Sequence, residues 1–407
     1  MEKQSRRFLM SWVLAGTLIG SVVVGFNVAM DPYLVIGAPR IVGFNEHKPA
    51  VHGHDRLMKT YDVLREHPKT LILGSSRVEL GLDAQYPAWP EHDRPVYNLG
   101  VAGGTPYIAY RYLQHVMSHN GVELAVLGLD FETFLTTKEA SRAAMPDFES
   151  GLMVTRDGNI NTGRTRKQIR DLVQATISLD ALSDSTATLT ANLTRGSIDM
   201  VAGNFVVLDR AHGGSYAFIM SQELYNARRY YGEANPMAME DVQAIINLCK
   251  SHGTHLIFFI NPVHADTLEM MSLLGYWPVY EAWKRELVTL TAKYSGADGR
   301  SRIALWDFSG YDSYSTEAVS VNHTSQWYWD PSHYSKIVGD VIVRRILGMS
   351  TPDFGVSITP ENIESHLASI REQQRIYREY RQADERRVRE AYGVVVGTPA
   401  QGAATAH

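Results

Sequence analysis

"LILGSSRVEL", residues 71 to 80, decides how this chain is read. An apolar run ends at Gly74, and two serines and an arginine follow at once. Small hydroxyl residues at the tip of a buried strand have two readings. Serine is a favoured helix N-cap, because its oxygen accepts from the free N–H groups of the first turn. A strand tip is also where a serine nucleophile stands in an open α/β sheet, since ligands bind outside the carboxyl ends of the strands.

The pattern around this stretch fits such a sheet. "TLILG" (70–74), "PVYNLG" (95–100) and "ELAVLGLD" (123–130) read as buried strands. "TPYIAYRYLQHVMSHNG" spaces its apolar residues near 3.6 and stops at Gly121, so it reads as a helix. Farther on, "MEDVQAIINLCKSHG" reads as a helix, "THLIFFINP" as a strand and "VYEAWKRELVTLTAKY" as a helix. "RIALWDFSG" gives another strand and "SKIVGDVIVRRILG" a closing helix. Continuous apolar strands alternating with helices predict an α/β fold, with a mostly parallel sheet covered on both faces.

Three stretches break the rhythm. Residues 31–68 show little periodicity, and "NEHKPAVHGHDRLMK" has no carboxylate–His spacing that would make His47, His52 and His54 metal ligands. They read as a solvated linker. Residues 132–235 are polar and read as an insertion over one end of the sheet, a lid or partner surface. Residues 360–392 form a charged helical pattern. Its Tyr377, Tyr380 and arginines suit either a partner or lipid headgroups, and a helix packed on the domain is the simpler reading. The end, "GTPAQGAATAH", reads as disordered.

Composition narrows the class. The 407 residues are 44% hydrophobic and 20% charged, with a formal net charge of -5. With no long basic block, nucleic acid is a poor partner. One cysteine, Cys249, excludes an intrachain disulfide and a multi-cysteine metal site, and in "AIINLCK" it reads as a small buried hydrophobe. Phe8 to Met30 is free of charge and, at 23 residues, long enough for a hydrocarbon core of about 30 Å. Lys3, Arg6 and Arg7 before it favour a cytoplasmic N-terminus. The run is longer than a signal-peptide core and "FNVAM" is a poor cleavage site, so a retained single-pass anchor is expected.

Strand ends are where chemistry would sit. A serine nucleophile needs a base, a carboxylate to orient the base, and donors for the developing oxyanion. Ser76 opens a helix, so its N–H is available, and Gly103 lies in the Gly-rich turn "NLGVAGG". D-x-x-H occurs twice. "DRAH" (Asp209, His212, with Ser215 after it) falls inside the insertion. "DPSH" (Asp330, His333) lies between the last strand and the last helix, and this position favours it. Asn261 and His264 in "NPVH" also follow a strand, where they would line an acceptor site or cap a turn.

This ordered set resembles the SGNH (GDSL-like) hydrolase superfamily over roughly residues 69 to 348. The resemblance implies a flavodoxin-like three-layer fold. It maps the nucleophile to Ser76, with "GSS" standing for G-D-S, and the oxyanion hole to the N–H groups of Ser76 and Gly103. His333 would be the base and Asp330 its orienter. The third block, where the family carries Asn, here reads "LGLDF". An ionised Asp130 cannot donate to an oxyanion. Either Asp130 is structural or the hole is made of backbone N–H groups alone. Arg77 would pair with Asp130 or bind an anionic substrate. Arg77, Asn98, Asp130, Asn261, His264 and Trp329 are the candidate substrate-binding residues.

With its anchor, the chain is similar to the D-alanyl transfer protein of teichoic acid modification and to the alginate O-acetylation proteins. That likeness implies a serine O-acyltransferase, with acetyl the expected group, acting on a cell-surface or exported polysaccharide. Its partner would be a multi-span membrane-bound O-acyltransferase. The catalytic domain would be periplasmic, on a single-pass anchor in the inner (cytoplasmic) membrane. Trp327, Tyr328, Trp329 and Tyr334 flank the proposed triad and would stack on sugars or pack the loop. A deacetylase would use the same residues, and a non-catalytic scaffold of an exopolysaccharide machine is the reading from another class. No cofactor and no metal is called for. The expected division is a cytoplasmic tail (1–7), a transmembrane helix (8–30), a linker (31–68), the SGNH-like domain (69–350, with insertion 132–235), and a C-terminal helical segment with a tail (351–407).

Overall fold

A computed structural model of the chain describes residues 2–135, 145–194, 198–207, 236–294, 302–319, 325–349 and 353–397. The chain divides into two compact units, one of Met1–His67, Gln114–Asn120 and Met145–Ala211, the other of Pro68–Leu113, Gly121–Ala144 and His212–His407. The strands in chain order are β1 (Thr70–Leu73), β2 (Val96–Asn98), β3 (Leu124–Leu129), β4 (Ile198–Val201), β5 (Asn204–Val207), β6 (His255–Ile260), β7 (Ile303–Asp307) and β8 (Val356–Ser357).

The second unit carries a mixed, mostly parallel sheet in the order β2-β1-β3-β6-β7-β8. Only β8 runs antiparallel to its neighbour. β1, β2 and β3 are buried along their whole length, as their unbroken apolar runs require of a covered sheet. The order reverses at β1, because β2 lies to one side of it and β3 to the other. A crevice therefore opens outside the carboxyl ends of β1 and β3. Register aligns those ends: Leu129 pairs with Ile260, which pairs with Asp307, so Asp130 and Asn261 emerge side by side.

Each helix expected in this unit is present: Pro106–Met117, Pro236–His252, Trp277–Tyr294 and Lys336–Ile346. Cys249 is buried, and burial pushes its thiol pKa up to about 12, as a small hydrophobe would have it. The charged C-terminal stretch is two helices, Ile363–Tyr380 and Gln382–Gly397, and spends its charges on its own unit. Arg378 pairs with Glu269 (2.8 Å), Arg371 with Glu281 (2.9 Å) and Arg387 with Asp266. Tyr377 is buried and Tyr380 is exposed. The tail from residue 398 lies outside the described residues.

The first unit corrects the linker reading. Residues 51 to 66 form a helix, Val51–Glu66. Its Val51 and Met58 pack with Tyr33, Leu34, Ala175, Ala181 and Met200 in one core. The "insertion" supplies helices Arg164–Ile177 and Leu179–Thr194 and the β4–β5 hairpin to this same unit. Polar side chains that suggest solvent are used internally. His47 Nδ1 lies 2.7 Å from Asp199 Oδ2. Lys48 is buried and donates to the Met30 (2.6 Å) and Asp31 (3.2 Å) carbonyls, and burial lowers its pKa to about 8. The His54 ring lies 4.6 Å from the Tyr33 ring, tilted 36° to it. The N-terminal helix, Glu2–Met30, is long and apolar enough to cross a membrane. The hydroxyls of Ser11, Thr17 and Ser21 donate to carbonyls four residues back, so none of the three needs water.

Candidate active site

Two adjacent serines divide the labour at the tip of β1. Ser75 is the N-cap of the short helix Ser76–Gly81, and its Oγ accepts from Arg77 N. Its carbonyl accepts from Val78 and Glu79 N. Ser76 is then the first helical residue, and its hydroxyl is free of capping duty. Its Oγ lies 2.8 Å from His333 Nε2.

Asp330 Oδ2 lies 2.7 Å from the other ring nitrogen, Nδ1. A carboxylate there accepts a hydrogen bond from Nδ1–H and leaves Nε2 as the acceptor facing the Ser76 hydroxyl. The second oxygen of Asp330 accepts from Ser332 N (2.7 Å), His333 N (2.9 Å) and Ser332 Oγ (3.0 Å). Burial works to raise the Asp330 pKa, but the His333 ring and these N–H donors more than reverse it, so the carboxyl sits below its ordinary value. The D-x-x-H loop therefore closes on itself. One carboxylate fixes both the backbone of the loop and the tautomer of the ring.

Gly103 has φ +64, a left-handed conformation suited to glycine, and the space where a side chain would stand is open. Beside it Gly104 presses against the first turn: a Cβ there would lie 2.2 Å from the Gly74 carbonyl oxygen. Val101 N donates to that same oxygen (3.1 Å). The two loops are thus locked together at the tips of β1 and β2. Among the described residues, neither Ser76 N–H nor Gly103 N–H donates to a protein group.

Beneath the triad lies a buried ionic floor. Arg77 Nη1 is 2.6 Å from Asp130 Oδ1 and 2.5 Å from Glu132 Oε1, and Arg77 Nε donates to the Ser332 carbonyl (2.8 Å). Asn261 Nδ2 donates to Asp130 Oδ1 (2.9 Å) and Tyr334 Oη donates to Asn261 Oδ1 (2.9 Å). Asp130 is therefore an ion-pair partner rather than a donor. Burial pushes the Glu132 carboxyl up, with Arg77 opposing and Asp130 adding to the rise. Arg77 holds the serine helix, the end of β3 and the histidine loop at once.

An apolar cavity opens beside this floor. Leu129, Leu135, Leu268, Met270, Met271, Tyr276 and Tyr280 wall it, while Arg77, Asp130, Glu132, Asn261 and Ser332 supply its polar side. Three expected binding residues, Arg77, Asp130 and Asn261, line it. Asn98 does not. It is fully buried, donates to the Val78 and Leu82 carbonyls and accepts from Gly100 N. His264 is also buried, caps helix Ala265–Leu273 through Asp266 N, and pairs Nε2 with the Glu317 carbonyl (2.8 Å). Trp329 joins the loop through its backbone, donating to the His333 carbonyl (2.8 Å). Tyr328 and Tyr334 are buried, so they pack the loop and are not exposed rings for sugar stacking.

Ser332 and Glu132 escape a motif search. Ser332 stands between the two residues that attract notice, with its carbonyl on Arg77 and its hydroxyl beside both Asp330 and His333. Asp209, His212 and Ser215 of the competing motif lie outside the described residues. A scan of protein-family models and a search of curated proteins each found no match to this chain.

Proposed function

We propose that this chain is a membrane-anchored serine O-acyltransferase of the SGNH type, acting on a polysaccharide outside the cytoplasmic membrane. The carrying observation is the continuous relay from Ser76 Oγ through His333 to Asp330. The β2-β1-β3-β6-β7 order, reversing at β1, supports a flavodoxin-like domain. The apolar N-terminal helix, preceded by Lys3, Arg6 and Arg7, supports a single-pass anchor with an extracytoplasmic sheet.

Ser76 Oγ attacks the carbonyl of an acyl donor as His333 Nε2 takes its proton. Asp330 keeps the imidazole in the accepting tautomer and balances the imidazolium. The Ser76 and Gly103 N–H groups meet the oxyanion, the role the missing family Asn would otherwise share. Collapse of the tetrahedral adduct expels the donor's leaving group, which carries away the proton from His333, and leaves an acyl ester on Ser76. An acceptor hydroxyl then gives its proton to Nε2 and attacks that ester, and the proton returns to Ser76 Oγ. Water in the acceptor's place makes the same site a deacetylase.

The test uses an activated acetyl ester and a fluorophosphonate probe. The full chain should give a burst of one leaving group per protein and covalent labelling at Ser76. Ser76→Ala should show neither while keeping its melting temperature. An undiminished burst in that variant overturns the nucleophile. No labelling of the unaltered chain favours a non-catalytic scaffold. Chasing the acyl-enzyme with oligosaccharide or with water alone separates transfer from hydrolysis.

A further inference from the structure

The exposed apolar surface of the first unit does not end with the spanning helix. Residues 8–22 of that helix are exposed, whereas Asn27 and Met30 are buried. Counted from Phe8 at 1.5 Å rise per residue, a hydrocarbon core of roughly 30 Å is crossed in about 20 residues, at the turn of Asn27. At that turn the helix already wears a collar. Asn27 Nδ2 donates to the Thr176 carbonyl (2.9 Å), and Asn45 Nδ2 donates to the Ala29 carbonyl (2.7 Å).

Both tethers end in exposed apolar groups. On helix Arg164–Ile177, Ile169, Leu172, Val173 and Ile177 are all exposed, and their spacing of three and four puts them on one face. Leu179, just after it, is 80% exposed. In the loop held by Asn45, Val42 is 81% exposed, with Ile41 and Phe44 beside it. Arg166 is exposed on the same helix.

We propose that helix Arg164–Ile177, Leu179 and the loop 41–44 form an interfacial collar that seats in the boundary between headgroups and acyl chains, around the turn at which the anchor leaves the hydrocarbon core. The collar rests on the helix being a span. Its occupant is lipid: the apolar side chains are tied to the turn at which a core of bilayer thickness, counted from Phe8, ends. Apolar groups at this depth with a basic residue nearby are what an interface-lying helix presents. The collar would hold the first unit at one depth and one tilt.

The test places single cysteines at Val42, Leu179, Leu18 and Glu372 in a Cys249→Ala background and labels each with bimane. The full chain is put into phosphatidylcholine–phosphatidylglycerol vesicles that carry nitroxide on the acyl chains, either near the headgroup or near the chain end. Val42 and Leu179 should lose emission, more to the shallow nitroxide. Leu18 should lose more to the deep one, and Glu372 should keep its emission. Quenching at Leu18 with Val42 and Leu179 as bright as Glu372 leaves the span standing and overturns the collar. No quenching at Leu18 removes the span and the collar with it. Val42 and Leu179 unquenched in vesicles but shielded in native membranes would assign the face to a protein and overturn the lipid reading.

Discussion

Two serine clusters stand at strand ends of the same sheet, and they differ in how their hydroxyls are engaged. At the end of β1, Ser76 Oγ faces a single partner, His333 Nε2, and is half-buried. Just past the end of β7, Ser309 keeps company with Lys284, Asp307, Tyr280 and His366. On residue types alone this would pass for a catalytic set. Its hydroxyl is saturated, however. It donates to Asp307 Oδ1 (2.6 Å) and accepts from Tyr280 Oη (2.5 Å) and Lys284 Nζ (2.8 Å). Lys284 and Asp307 are fully buried and 2.6 Å apart, and His366 Nε2 lies 2.9 Å from the same carboxylate. A nucleophile needs an idle lone pair and a route in. A structural knot needs neither. The first cluster is the one the proposed chemistry uses, and the second is a bolt joining β7, helix Trp277–Tyr294 and helix Ile363–Tyr380.

The sharpest break between them is in rate. Ser76→Ala should cost up to about 10⁶-fold in acylation, as loss of a whole triad function does. Ser309→Ala should leave the burst intact. Pre-steady-state release of the leaving group reads both, and a burst lost with Ser309 would merge the two clusters. Asp330→Asn should cost about 10⁴-fold, because the amide favours the wrong imidazole tautomer. A folded, labelled but slow variant is the expected result.

Stability reverses the ranking. Lys284→Met strands a buried carboxylate and should cost about 3–5 kcal/mol in denaturant melts, with Ser76 still labelled in the folded fraction. Burial alone would raise the Asp307 pKa, but Lys284 and His366 hold it well below the carboxylate range. Its stabilisation is therefore present above about pH 4 and lost as pH falls through the folded value. Melting temperature against pH should show this acid limb in the unaltered chain and a weaker one in Lys284→Met. Ser309→Ala itself should cost the least, about 1–3 kcal/mol, for the partners left short of a hydrogen bond.

The sheet was legible because covered parallel strands must be continuously apolar, and "TLIL", "LAVLGL" and "HLIFFI" are. The order of Ser76, Gly103, Asp330 and His333 along the chain was enough to forecast one rim. The first unit was not legible. Its core joins Val51 and Met58 to Ala175, Ala181 and Met200, more than a hundred residues later, and no local period announces such a partner. Lys48, His47 and Asn45 look solvated in sequence and are buried or tied to buried groups. His264 was hard to place because an imidazole is an uncommon cap beside Ser, Asp or Asn. Of the two roles open to Arg77 in the sequence, pairing with Asp130 across 53 residues is the one the structure shows.

The paired serines carry opposite tolerances to exchange. Residue 75 has one local duty, to offer a short side-chain acceptor to the N–H two positions on, and Asp, Asn or Thr can do the same. On the proposed mechanism its neighbour must supply a hydroxyl that can be both deprotonated and acylated. A saturation library over the two codons, sorted by probe labelling, should return a small polar alphabet at position 75 and a single letter at position 76. That asymmetry would make "GSS" and G-D-S two spellings of one turn.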